Sequence, residues 1–237
     1  QIENNIYESS MNKESLKIIS LLLITTNSIL VTANSSLLPM YGEKNREKSS
    51  VIVEKDNRFI AKAMKSFSSR EHAAEGYVER GFEMYSQNKF DKSMRRFNEA
   101  WLLNSKNAYI YLGYGLLYNN EEKFCKAMEM FTQAYKKGLI ESGFLADYAY
   151  TTTKCALTKE NQLQKALFND ANNLSHQASR TTNKRLKAFA YQAWAKSYFL
   201  QNDFINSQEM LKKAKKNDGA IDAIFEQSLK AKIIQLK

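Results

Sequence analysis

Apolar residues recur at three- and four-residue spacing over most of the chain from Asn57 onward, the period of helices that each bury one face. Written from Ala74 the sequence is AEGYVERGFEMYSQNKFDKSMRRFNEAWLLNSKN, and from Ala108 it is AYIYLGYGLLYNNEEKFCKAMEMFTQAYKKGLIE. The two align without a gap. Tyr77 falls on Tyr111, Gly81 on Gly115, Phe90 on Phe124, Ser93 on Ala127, Phe97 on Phe131 and Ala100 on Ala134, each pair 34 residues apart. A third copy starts at Ala188, with Tyr191, Ala195, Phe204, Ser207, Leu211 and Ala214 in the same positions.

This repeat resembles the tetratricopeptide repeat (TPR) family, whose unit is a helix, a tight turn and a second antiparallel helix. The residues support that resemblance physically. Small side chains at Gly81, Gly115 and Ala195, matched by Ser93, Ala127 and Ser207, let paired helices approach closely, while Phe97, Phe131 and Leu211 continue the same helical face. A single unit cannot bury such a stripe, so units must stack. The resemblance therefore implies an all-α, right-handed α-solenoid of about four units, 74–107, 108–141, 142–187 and 188–221. Tyr111 to Tyr191 spans 80 residues, or 34 plus 46, so the third unit is lengthened. Its first helix is SGFLADYAYTTTKCA, and the register of its second helix is left open. Residues 57–73 read as an N-terminal packing helix and 220–237 as a terminal cap, with Ile221, Ile224, Phe225, Leu229 and Ile233 on one face.

Composition agrees with helices. The 237 residues hold one proline and eight glycines, too few for a fold built on frequent Gly/Pro turns. The formal net charge of +10 permits acidic partners, but the lysines are scattered. The densest run is LKKAKKND, 211–218, and no basic stripe is interleaved with exposed aromatics, so nucleic acid is not favoured as a partner.

Ahead of the repeats, MNKESLKIISLLLITTNSILVTANSS places Lys13 and Lys17 before the apolar run 18–31 and ends it in Val31-Thr32-Ala33. That order predicts a secretory signal peptide over 11–33 and an exported, periplasmic or secreted protein. The run is shorter than the roughly 20 apolar residues a membrane span needs. Residues 1–10 fit no signal layout and read as an upstream extension, and 34–56 reads as a linker or disordered arm.

Candidate chemistry is sparse. His72 and His176 stand in no metal-ligand spacing, the glycines form no phosphate loop, and no nucleophile has an identifiable base. The expectation is a non-enzymatic protein without cofactor or metal. The resemblance implies instead a concave groove lined by the first helix of each unit, which binds a peptide or extended segment of a partner. Carried over position by position, the groove residues are Val78, Phe82, Tyr85, Tyr109, Leu112, Leu116, Asn119, Tyr150, Lys196 and Phe199. The implied function is an exported interaction adaptor, in the assembly of an envelope, secretion or pilus complex. The alternatives are a basic protein that binds an acidic polymer or anionic membrane, and an accessory subunit of an enzyme complex.

Cys125 opens a second helix and Cys155 lies near the end of the next unit's first helix. Stacked antiparallel helices bring such positions together, so in an oxidising compartment the pair predicts an inter-unit disulfide, with two free buried thiols as the alternative.

Overall fold

A computed structural model of the chain describes residues 35–45 and 50–236. Two short 3-10 segments, Ser35–Leu37 and Pro39–Asn45, come first. Ten α-helices follow among the described residues: α1 (Ser50–Ala63), α2 (Arg70–Ser86), α3 (Phe90–Leu103), α4 (Ala108–Asn120), α5 (Phe124–Lys136), α6 (Ser142–Ala156), α7 (Asn161–Ala178), α8 (Lys184–Leu200), α9 (Phe204–Lys216) and α10 (Ala223–Gln235). None is long and apolar enough to cross a membrane. The upstream extension 1–10 and the signal peptide 11–33 lie outside the described residues.

Helix starts carry side chains that accept from otherwise orphaned amides: Ser69 from His72, Asn107 from Tyr109, Asn183 from Leu186, Asp203 from Asn206, and Asp222 from Ile224 and Phe225. Three first helices end alike. Asn88, Glu122 and Asn202 occupy one repeat position and adopt left-handed φ of 56°, 56° and 60°. The following amide then turns back to the helix, Lys89 to the Met84 carbonyl and Lys123 to that of Tyr118 at 2.9 Å, Asp203 to that of Tyr198 at 3.0 Å.

Those turns fold the chain into four hairpins, α2/α3, α4/α5, α6/α7 and α8/α9, which stack in order with α10 against α9. This is the all-α stack of antiparallel helix pairs expected from the repeat. The Phe97 ring is fully buried between Gly81 of its own unit and Gly113 of the next. A Cβ on Gly81 would stand 2.6 Å from that ring, and one on Gly113 closer still. Phe131 presses on Gly115 in the same way. Burying such a ring contributes about 2–3 kcal/mol. Beside these contacts, Ser93 Oγ donates to the Gly81 carbonyl and Ser207 Oγ to the Ala195 carbonyl, both at 2.8 Å.

Burial sets the register of the third unit. Ala171, Ser175 and Ala178 are the fully buried small positions of α7, at the spacing of Ser93, Phe97 and Ala100, with Phe168 in the place of Phe90. From Ala149 to Ala171 the chain runs 22 residues where Gly81 to Ser93 takes 12, so most of the extra length sits at the hairpin tip. A serine fills the place held by Phe97 and Phe131. Consecutive first helices touch lightly between α2 and α4, but α6 packs extensively against α8. Ala146, Ala149 and Thr153 on α6 and Ala190, Ala195 and Ser197 on α8 are all buried and small, which permits that approach.

Three expectations are corrected. Residues 34–56 are not an unstructured linker where they are described: 35–45 fold onto α3, and α1 begins at Ser50. Asn98, wholly buried, donates from Nδ2 to the Ser36 and Leu38 carbonyls at 3.0 and 2.9 Å. Its Oδ1 accepts from Tyr114 Oη at 2.7 Å, and that oxygen accepts from the Met40 amide at 3.2 Å. The arm thus supplies two acceptors for the buried Asn98 amide and a donor for the Tyr114 hydroxyl. Second, the packing helix expected over 57–73 ends at Ala63, and α2 starts at Arg70 because Ser69 caps it. Third, Ile224 is 79% exposed, so only Phe225 and Leu229 of the cap are buried, with Ile221 and Ile233 packed beside them.

Candidate functional site

The first helices α2, α4, α6 and α8 share one face of the stack, and most groove candidates fall on it in a half-buried state. Phe82 meets Phe97 edge-on at 5.1 Å and Tyr85 leans on Phe90 at 5.6 Å. Leu112 and Leu116 pack against the main core. Tyr109 is exposed, its hydroxyl donating to Glu141 Oε1 at 2.8 Å, a bond that raises its pKa. Asn119 donates to Thr151 Oγ1 at 2.7 Å and leaves its own buried Oδ1 without a partner. One candidate is corrected: Val78 is only 7% exposed and belongs to the core. Phe199 is half-buried like Phe82, with Phe204 and Phe225 at 5.4 and 5.6 Å.

The remaining two, Tyr150 and Lys196, meet in a cleft of about 200 Å³ between α6 and α8. Asp147, Phe189, Gln192 and Ala193 complete its lining. Asp147 has Gly113 and Ala193 at its repeat position in the neighbouring units, and of these Ala193 shares the cleft lining. That carboxylate accepts no hydrogen bond and pairs with no cation among the described residues. Burial alone raises its pKa from 3.8 to about 6. Lys196 does not neutralise it, because its Nζ binds Asp222 Oδ2 at 2.8 Å and lies 5.7 Å from the Phe225 ring centre. The Asp147 charge also reaches α2, where it adds to burial in raising the Tyr85 pKa.

Sequence reasoning missed Asp147 and Phe189. The available signal was that Asp147 is the one acid in the otherwise neutral, small-residue run SGFLADYAYTTT.

A larger cavity of about 440 Å³ opens between α5, α6 and α7, lined by Thr132, Tyr135, Tyr148 and Gln177 among others. Thr132 pairs there with Tyr148 at 2.7 Å and Tyr135 with Gln177 at 3.2 Å, while Asp170 and Asn173 of the lining are exposed. The basic run near the C-terminus is also partly neutralised. Lys213 pairs with Glu209 at 2.8 Å, and Glu226 holds both Lys215 and Lys230 at 2.9 and 2.6 Å, which lowers its pKa to about 2.

Cys125 at the start of α5 and Cys155 near the end of α6 are joined, with Sγ atoms 2.05 Å and Cα atoms 4.7 Å apart. The two histidines serve as packing edges, His72 on Phe67 at 5.6 Å and His176 on Trp194 at 6.3 Å. No group of three His, Cys, Asp or Glu side chains among the described residues could hold a metal ion.

No family model matches the chain, and no curated protein does. Among solved structures it is similar to YrrB, "a TPR protein with an unusual peptide-binding site", at 15% identity over 67% of this chain and 91% of that one, with a TM-score of 0.33. The TPR-like description of the fold rests on this chain's own hairpins, turns and register.

Proposed function

We propose that this chain is an exported, non-enzymatic adaptor that holds a peptide segment of another protein on the face shared by its first helices. The α6/α8 cleft carries the proposal. It combines aromatic surface from Tyr150 and Phe189, an amide from Gln192 and an uncompensated carboxylate from Asp147, a mixture suited to an extended chain with side chains of its own. Export agrees with the Cys125–Cys155 bridge, since disulfides persist mainly in oxidising compartments. Assembly of an envelope, secretion or pilus complex is the setting we infer. Binding to an acidic polymer gains little support, because lysines of the densest basic run are engaged by Glu209 and Glu226.

The test is a peptide array probed with the full chain. Tyr150→Ser with Phe189→Ser should weaken binding by about ten-fold or more, as loss of paired aromatic anchors does, while Leu163→Ser, on exposed α7 surface, should leave it unchanged. Equal binding by all three proteins would remove the cleft from the function. A steep loss of binding with added salt, unaffected by the cleft substitutions, would favour the polymer reading.

A further inference from the structure

Within that cleft, we propose that Asp147 receives the side chain of a lysine or arginine in the bound peptide, with Tyr150 and Phe189 along its aliphatic stem. This assignment rests on the peptide-binding reading above and names the chemistry of its central contact.

Partly buried carboxylates are ordinarily paired or hydrogen-bonded, and Asp147, partly buried in the cleft wall, is neither among the described residues. The cation that lines the same cleft, Lys196, is committed to Asp222. The larger cavity also carries a carboxylate, Asp170, but that residue is exposed to solvent, whereas Asp147 is partly buried between two helices.

A basic side chain fits what surrounds the carboxylate. Lysine and arginine carry long apolar stems that lie along aromatic surface while the head seeks an anion, and their cations are attracted to ring faces. Phe189 is 42% exposed at the mouth of the cleft, and Tyr150 is half-buried in its wall. Gln192 already donates or accepts locally, its Oε1 taking the Asp222 amide at 2.8 Å, which leaves its NH₂ free to meet a peptide carbonyl beside the seated side chain. An acidic ligand meets the opposite situation, an uncompensated charge of its own sign in the cleft wall.

Three fluorescein-labelled decapeptides test this, identical in a Ser, Ala and Leu background except for a central arginine, citrulline or glutamate. Citrulline keeps the shape of arginine without its charge. Anisotropy titrations with the full chain at pH 7.5 should show the arginine peptide binding about ten-fold more tightly than the citrulline peptide, the scale of a charge-assisted hydrogen bond. Asp147→Asn should erase that preference while binding the citrulline peptide as before, and Asp147→Glu should keep part of it, with circular dichroism verifying that each variant is folded. Equal affinity for arginine and citrulline, with binding still lost in Tyr150→Ser plus Phe189→Ser, would overturn the role of Asp147 and leave the peptide-binding reading standing. An arginine preference that survives Asp147→Asn, or a preference for glutamate, would also overturn it. No binding of any of the three peptides would overturn both.

Discussion

The first two hairpins and the last two are written in the same repeat but meet their neighbours differently. In the first two, Phe97 and Phe131 press rings onto Gly81, Gly113 and Gly115, so that helix spacing is set by an aromatic wedge. In the third, the wedge position is Ser175, and the small side chains of α6 and α8 let the first helices themselves pack together. Trp194 then bridges from α8 to α7, its Nε1 donating to Asn172 Oδ1 at 3.0 Å. One half gains rigidity from rings in glycine sockets, while the other gains a narrow interhelix cleft with a carboxylate in its wall. The Cys125–Cys155 bond crosses between them, from the second unit to the third.

The sharpest break in this comparison is a matched pair of truncations. Phe97→Ala should cost about 3–5 kcal/mol in urea unfolding, and Ser175→Ala less than about 1 kcal/mol, because only the first empties a large buried volume. Equal losses would show that the two halves are built alike. Next in size is the bridge. Replacing Cys125 and Cys155 by serine together should lower stability by about 3–4 kcal/mol, from the entropy of a 30-residue loop, and hydrogen exchange should then report the two halves opening separately.

Asp147→Asn should act in the opposite direction. The folded-state pKa of about 6 lies above the ordinary 3.8, so the folded protein holds the proton more tightly than the unfolded chain. The resulting penalty is absent at pH below about 4, grows as pH rises through 6, and is complete above it. Removing the charge should therefore stabilise the protein by at most about 3 kcal/mol at pH 7.5 and by little at pH 4, read as the difference between two denaturation series. The smallest effect is expected at the turn of the second unit. Glu122 adopts φ 56° where its counterparts are Asn88 and Asn202, so Glu122→Asn should raise the unfolding free energy by about 0.5–1 kcal/mol. No gain would indicate that Glu122 is held there by something other than the backbone.

The repeat was legible because aromatic and small residues keep a fixed spacing, and stacking of the repeated hairpins offered a Cys125–Cys155 bond beside the alternative of two free thiols. The second helix of the third unit was not, since its register depends on Ser175 standing where other units carry Phe97, Phe131 or Leu211. The arm was hidden for a different reason. Nothing local in residues 35–45 predicts order, and the Asn98 and Tyr114 groups that hold it come from two different hairpins. The candidate site was half visible. Tyr150 and Lys196 followed from repeat position, but Val78 lies at such a position and is core, and Asp147 lies one residue from such a position and faces the cleft. Which neighbour of a groove position reaches solvent depends on how closely α6 and α8 approach, and only the packing of small residues sets that distance.

The most direct test of the account is a chemical-shift titration of the full ¹⁵N-labelled chain with the arginine decapeptide. The account predicts shifts concentrated at Asp147, Tyr150, Phe189, Gln192 and Lys196, with α3, α5 and α9 unmoved. Shifts centred instead on the lysines of α9 and α10, or on the Tyr135–Gln177 cavity, would contradict it.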